Sequence, residues 1–163
     1  MTVQPFLFGD GWLDVLDGND TARAIFERHY SAKKVRPKRR NGAEKLIVGP
    51  GDKLLMLLPD AMALCVWRRE QHRRDGQDGV ECAVFRHEGG HVASVILRAA
   101  MDRAWSRWPG ERLFTFVDPR EVVPTIRAGR PTWGHCFYQA GFTFAGITKA
   151  RLHVLECLSR CSA

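Results

Sequence analysis

The sequence predicts an α+β domain whose mixed, largely antiparallel sheet carries one parallel pair. Two observations carry this. Leu46–Val48, Leu54–Leu58 and Ala63–Trp67 are short apolar segments separated by Gly49-Pro50-Gly51-Asp52 and Pro59-Asp60, both good turns, which makes an antiparallel meander. Val80 to Trp108 then reads as strand, glycine turn and long helix, and Leu113–Val117 follows as another strand. Such a β–α–β crossover makes its two strands parallel. At 163 residues and 45% hydrophobic, the chain fits one domain, 1–163, with its core at about residues 20–157.

In chain order, residues 1–19 mix aromatics with Gly and Asp and read as a loop or short strand. Asp10 and Asp14 interrupt this segment, so no signal peptide or membrane-length run is visible, and no membrane partner is expected. Asp20 or Thr21 can cap a helix running to about Tyr30, with Ala22, Ile25, Phe26 and His29 on one side. Lys33, Lys34, Arg36, Lys38, Arg39 and Arg40 follow, six cations within eight residues. Such a run is either a solvated loop or, in a chain of net charge +7, a binder of phosphate backbones.

After the meander, the charged segment from Arg68 to Gly79 reads as a loop. Cys82–Phe85 is short and β-prone enough for an internal strand, and it breaks at Gly89-Gly90. From Ser94 an amphipathic helix places Leu97, Met101, Ala104 and Trp108 at helical spacing until Pro109-Gly110 stops it. Residues 119–131, rich in proline and arginine, read as an irregular loop in which Arg127 and Arg130 are phosphate contacts or solubilising charge. Thr132 can cap a helix from Trp133 to Ala140, ended by Gly141. Phe142–Ala145 and Leu152–Leu155 close the chain as two strands.

A strand that feeds a glycine turn and then a helix exposes free N–H groups at the positive end of the helix dipole, a receptor for phosphate or pyrophosphate. The same residues offer a rival. His87-Glu88-Gly89-Gly90-His91 matches H-E-x-x-H, the pattern of a zinc hydrolase, which needs both imidazoles on one helical face. Two adjacent glycines cost roughly 2 kcal/mol of helix stability, so no metal is expected here. The five cysteines are odd in number and form no C-x-x-C pair, which suits a reducing cytoplasm. Cys136 has a lowered pKa if it is exposed near a helix N-terminus, and is a core residue otherwise. Trp105, Trp108 and Trp133 are most simply core or edge aromatics.

The order helix, meander, central strand, glycine turn, long helix, strand, short helix and terminal strands resembles the GNAT (Gcn5-related N-acetyltransferase) fold. Arg86-His87-Glu88-Gly89-Gly90-His91 before Ser94 is similar to its pyrophosphate loop, and Cys136 to Phe142 is similar to its Leu-Tyr-x-x-x-Gly-Phe segment. The resemblance implies an acyl-CoA or related acyl donor, held by Arg86, Gly89, Gly90, His91 and Ser94. Phe137 stands where many GNAT enzymes carry the tyrosine that protonates the departing thiolate. Tyr138 is adjacent but points about 100° away on a helix. Either another residue is the acid or the chemistry departs from ordinary acetyl transfer.

Within the superfamily, His29-Tyr30-Ser31, the basic segment after it and Val117-Asp118-Pro119-Arg120 resemble the phage-type branch related to the Mom DNA-modification protein. That likeness implies a transferase acting on the exocyclic amine of adenine in DNA, with DNA held by the six cations. The alternatives are acetylation of a protein or small-molecule amine, and a DNA-binding module without catalysis. Four residues are the catalytic candidates. His29 and Tyr30 hold or deprotonate the acceptor amine, or pack at a helix end. Asp118 lies past the carboxyl end of a parallel strand, where ligand groups gather, or caps the following turn. Tyr138 is the fourth.

Overall fold

The computed structural model describes residues 11–34, 46–49 and 51–159. Seven strands form one sheet in the order β1-β2-β3-β4-β5-β9-β8: β1 Leu13–Val15, β2 Asp52–Leu57, β3 Ala63–Arg69, β4 Val80–His87, β5 Leu113–Val117, β8 Thr143–Ile147 and β9 His153–Cys157. Only β4 and β5 run parallel. Between them lies α2, Ala93–Arg107, as the crossover requires. The expected α+β class with a mostly antiparallel sheet is therefore present.

The sheet is buried on both faces where it carries the site, which is why β2 and β3 are near-continuous apolar runs and not alternating ones. Leu54, Met56, Cys65 and Trp67 pack with Leu97, Ala100, Met101, Ala104 and Trp108 of α2 and with α3 (His135–Ala140). Leu55, Leu57, Leu64, Val66 and Val84 pack on the other face against Ala22, Ile25 and Phe26 of α1 (Asp20–Glu27). The expected helical face of Leu97, Met101, Ala104 and Trp108 is thus the buried one. Gly141 ends α3 with φ 107°, and the Phe142 N–H reaches back to the Phe137 carbonyl at 3.0 Å, a Schellman closure.

Four local expectations are corrected. The cap of α1 is Asn19, whose side chain accepts from the Ala22 N–H at 3.0 Å, and the helix ends at Glu27 before a 3-10 turn over Tyr30–Lys34. Three potential capping residues stand in a row here, and the one that faces the first turn wins. Leu46–Val48 is not a strand: the Asp17 carboxylate accepts from the N–H groups of Ile47 and Val48, replacing a ladder with a side chain. Thr132 belongs to a strand, and α3 starts after Gly134, whose φ of 90° sets the turn. The loop 119–131 contains a hairpin, β6 Thr125–Arg127 with β7 Arg130–Thr132.

Acid should weaken this fold through His29. Burial, helped by the nearby Arg86 charge, lowers its pKa to about 4. An unfolded histidine titrates near 6.5. Between those values the unfolded chain binds more protons, so this stabilisation is complete above about pH 6.5 and is lost as the pH falls toward 4. Thermal melts across that window should show a falling midpoint, and His29→Phe should flatten the trend.

Candidate active site

The parallel pair closes at one end only. β4 and β5 are in register at Val80 with Leu113 and Glu81 with Phe114, and pairing stops there. Next along, the Thr115 hydroxyl donates to the Cys82 carbonyl at 2.9 Å, a side chain standing in for the backbone. A bulge at this point helps turn β4 away. Trp67 pairs with Cys82 and Val66 with Val84, so Ala83 is the extra residue. Beyond it no ladder joins Val84–His87 to Phe116–Val117, a slot in the pairing lined by strand edges whose N–H and C=O groups must find partners.

Three of the four catalytic candidates gather at its mouth. The Tyr30 phenol lies 3.5 Å from the Phe116 carbonyl, at the outer limit of a hydrogen bond. Burial raises its pKa above the ordinary value, against a hydrogen bond from the Asp118 backbone, so the phenol is protonated at neutral pH. His29 stacks on Tyr30, ring centroids 4.4 Å apart. Its Nδ1 accepts from the Ser31 N–H at 3.2 Å and lies 2.7 Å from the Ser31 hydroxyl. A neutral ring that accepts at Nδ1 carries its proton on Nε2. With Nδ1 taken by Ser31, the ring offers a donor at Nε2 and not a free base. Asp118 is 2% exposed, grips Arg120 through both oxygens and accepts from the Arg120 N–H. It performs the turn-capping role, with its backbone beside Tyr30.

Tyr138, the fourth, lies under the Arg127 guanidinium, 4.8 Å from its ring centroid. Its neighbour Phe137 is the α3 aromatic that packs on β4, with Phe85 at 5.9 Å and Phe142 at 5.1 Å. Cys136 is half-buried, and burial pushes its thiol up to about 11, opposite to the activated thiol expected of an exposed position.

The glycine turn sits where β4 hands over to α2. Gly89 and Gly90 take φ of 123° and 78°, open only to glycine at low cost. The residue capping α2 is Val92, which makes no side-chain cap, and no acidic residue occupies the first turn. Its leading N–H groups have no local carboxylate or hydroxyl cap, as an anion receptor requires. Ser94 is buried in that first turn. His91 is tied to Asp60, Nε2 to Oδ2 2.6 Å. Arg86 does not point freely at a ligand: it donates to Glu88 at 2.7 Å and to the Arg28 carbonyl at 2.7 Å.

Arg28, at the end of α1, also grips Glu88, donating from Nε at 2.8 Å. Hydrogen bonds from Arg28 and then Arg86 hold the Glu88 carboxyl down to about 2. This clamp fastens His29 and Tyr30 to the end of β4. It was not legible in the sequence, because Arg28 and Glu88 are sixty positions apart and no periodicity links them. The zinc alternative meets different geometry from the one it needs. His87 ends a strand, His91 stands in a loop, and Glu88 is locked between two guanidinium groups.

Of the six cations expected to hold DNA, Arg36, Lys38, Arg39 and Arg40 lie outside the described residues, and Lys33 and Lys34 close the 3-10 turn that begins at Tyr30. A cleft of about 1140 Å³ opens elsewhere, between Met101 and Trp105 of α2, Gly141 and Leu158. None of the residues at the slot lines it. Among the described residues, no helix is long and apolar enough to cross a membrane. No protein-family model, curated protein or solved structure matches this chain.

Proposed function

We propose that this chain is a GNAT-like transferase that moves an acyl-type or related small group from an acyl-CoA or similar donor to an amine, the exocyclic amine of adenine in DNA. One observation carries the reading: the slot between β4 and β5 opens toward a glycine turn and a helix start without a side-chain cap. An elongated donor with amide groups and a pyrophosphate matches both features. Its amides suit the unpaired strand edges, and its phosphates suit the N–H groups of residues 89–94. Glu88 is no obstacle to that anion, since Arg28 and Arg86 balance its charge.

The donor supplies an activated acyl carbonyl. The chain supplies position and a proton. His29 Nε2–H holds the acceptor base beside the slot. As the new C–N bond forms and the C–S bond breaks, Tyr30 gives its phenolic proton to the departing thiolate and takes back the one shed by the amine nitrogen. Tyr30 thus fills the role that Phe137 lacks the proton to perform. The acceptor half of the reading rests on charge, +7 over the chain, which favours a polyanion over a small amine. Phe137 favours a second reading, a DNA-binding module without catalysis.

Calorimetric titration with acetyl-CoA tests the donor half. One molecule bound per chain is expected. No heat at any temperature, and no rise in thermal midpoint with ligand, would remove the donor and leave the second reading.

A further inference from the structure

The segment between Asp118 and α3 builds something the main sheet does not need. β6 and β7 pair only with each other, Thr125 with Thr132, Ile126 with Pro131 and Arg127 with Arg130. Their turn takes positive φ at both central residues, Ala128 at 48° and Gly129 at 74°, the mark of a two-residue type I′ hairpin. Alanine, unlike glycine, adopts that backbone only under strain. Two three-residue strands have no core of their own. Here they leave Ile126 66% and Val123 87% exposed, with Arg127 and Arg130 exposed on either side of the tip. Side chains alternate across the ribbon, so Arg127 and Arg130 share one face while Ile126 and Pro131 share the other. Arg127 is already oriented by its stack on Tyr138, and the other end of the segment is Asp118, at Tyr30.

We infer that this hairpin is a ribbon arm that enters a groove of duplex DNA beside the slot, its two arginines on phosphates and its Ile126 face on the groove wall. A two-stranded ribbon fits the roughly 12 Å major groove, where thymine methyl groups accept apolar contacts. A protein partner fits less well. The exposed apolar residues are aliphatic, with none of the aromatic anchors that carry protein interfaces, and residues 119–132 hold three arginines against one glutamate. The inference rests on the acceptor half of the proposal, duplex DNA, and not on the donor.

Fluorescence anisotropy of a labelled 20-base-pair duplex across a salt series tests it with the full chain. Arg127→Ala with Arg130→Ala should lower the slope of log affinity against log salt by about 1.8, at about 0.9 per phosphate contact. Ile126→Ala should weaken binding severalfold and leave the slope unchanged. Arg69→Ala with Arg107→Ala removes the same charge from the closed end of the sheet and should leave the slope alone. Thermal melts of each variant confirm folding. A slope unchanged in the hairpin variant, or lowered equally in the control, overturns the inference, the first in favour of a protein partner and the second in favour of diffuse charge. Absence of duplex binding by the wild type would instead sink the DNA acceptor itself, with the donor site still open to its own titration.

Discussion

Gly90→Val is expected to abolish donor binding, a loss of 100-fold or more, while the protein stays folded. A Cβ at Gly90 would meet nothing within 4 Å, so no neighbour is displaced. The damage is in the backbone: φ is 78°, a region that β-branched residues avoid. Strain there costs about 1–2 kcal/mol. The turn escapes it by adopting other dihedrals, which re-aims the N–H groups that lead into α2. Those groups gather an anion only when they converge. Calorimetry with acetyl-CoA should therefore lose its signal while the thermal midpoint falls by only a few degrees. Equal loss of binding and of folding would mean that the turn is simply structural.

Gly79→Ala has the opposite profile. Gly79 precedes β4 with φ of 113°, and a Cβ there would stand 2.3 Å from the Arg112 carbonyl oxygen, backbone against backbone. That same oxygen accepts the Val80 N–H at 2.8 Å, the bond that brings the start of β4 beside β5. The substitution must push the two strands apart at the only end where they pair. Left-handed strain and overpacking together cost about 3 kcal/mol or more. For a domain of this size that is roughly 6–12 °C of thermal midpoint. Donor binding should weaken with it, since the slot keeps its width only if its closed end holds. A midpoint within a degree or two of wild type would show that the closed end does not set the geometry.

What could be read in the sequence was local. The face of Leu97, Met101, Ala104 and Trp108 follows from a 3.6-residue period, and the stop at Gly141 from a residue that accepts positive φ. The β4–α2–β5 crossover needed only a strand, a glycine pair and a helix in succession. What escaped was set by partners distant in the chain. Asp17 satisfies Ile47 and Val48, so an apolar triplet that reads as a strand never joins one. The β6–β7 hairpin turns on Ala128-Gly129, without the Asn-Gly or Asp-Gly that announces such turns, and carries Pro131 in a strand that no further strand joins. Of the candidate residues, His29, Tyr30 and Asp118 meet at one mouth although 89 positions of sequence separate the first from the last. The family resemblance implies that Arg86 is a ligand for the donor, whereas its side chain is committed to Glu88 and Arg28. A guanidinium beside a carboxylate two residues on carries no sequence mark that distinguishes the two uses.

The central claim is that Tyr30, at the mouth of the slot, works on an adenine amine of DNA. Mass spectrometry of nucleosides, released from the DNA of cells expressing the chain, tests it most directly. The account predicts a modified deoxyadenosine, heavier than the parent by the transferred group, with wild-type protein. It predicts at least a 100-fold loss with Tyr30→Phe, which keeps the ring stacked on His29 and removes only the proton. Unmodified deoxyadenosine in both, from cells in which the wild type is folded and abundant, would contradict it.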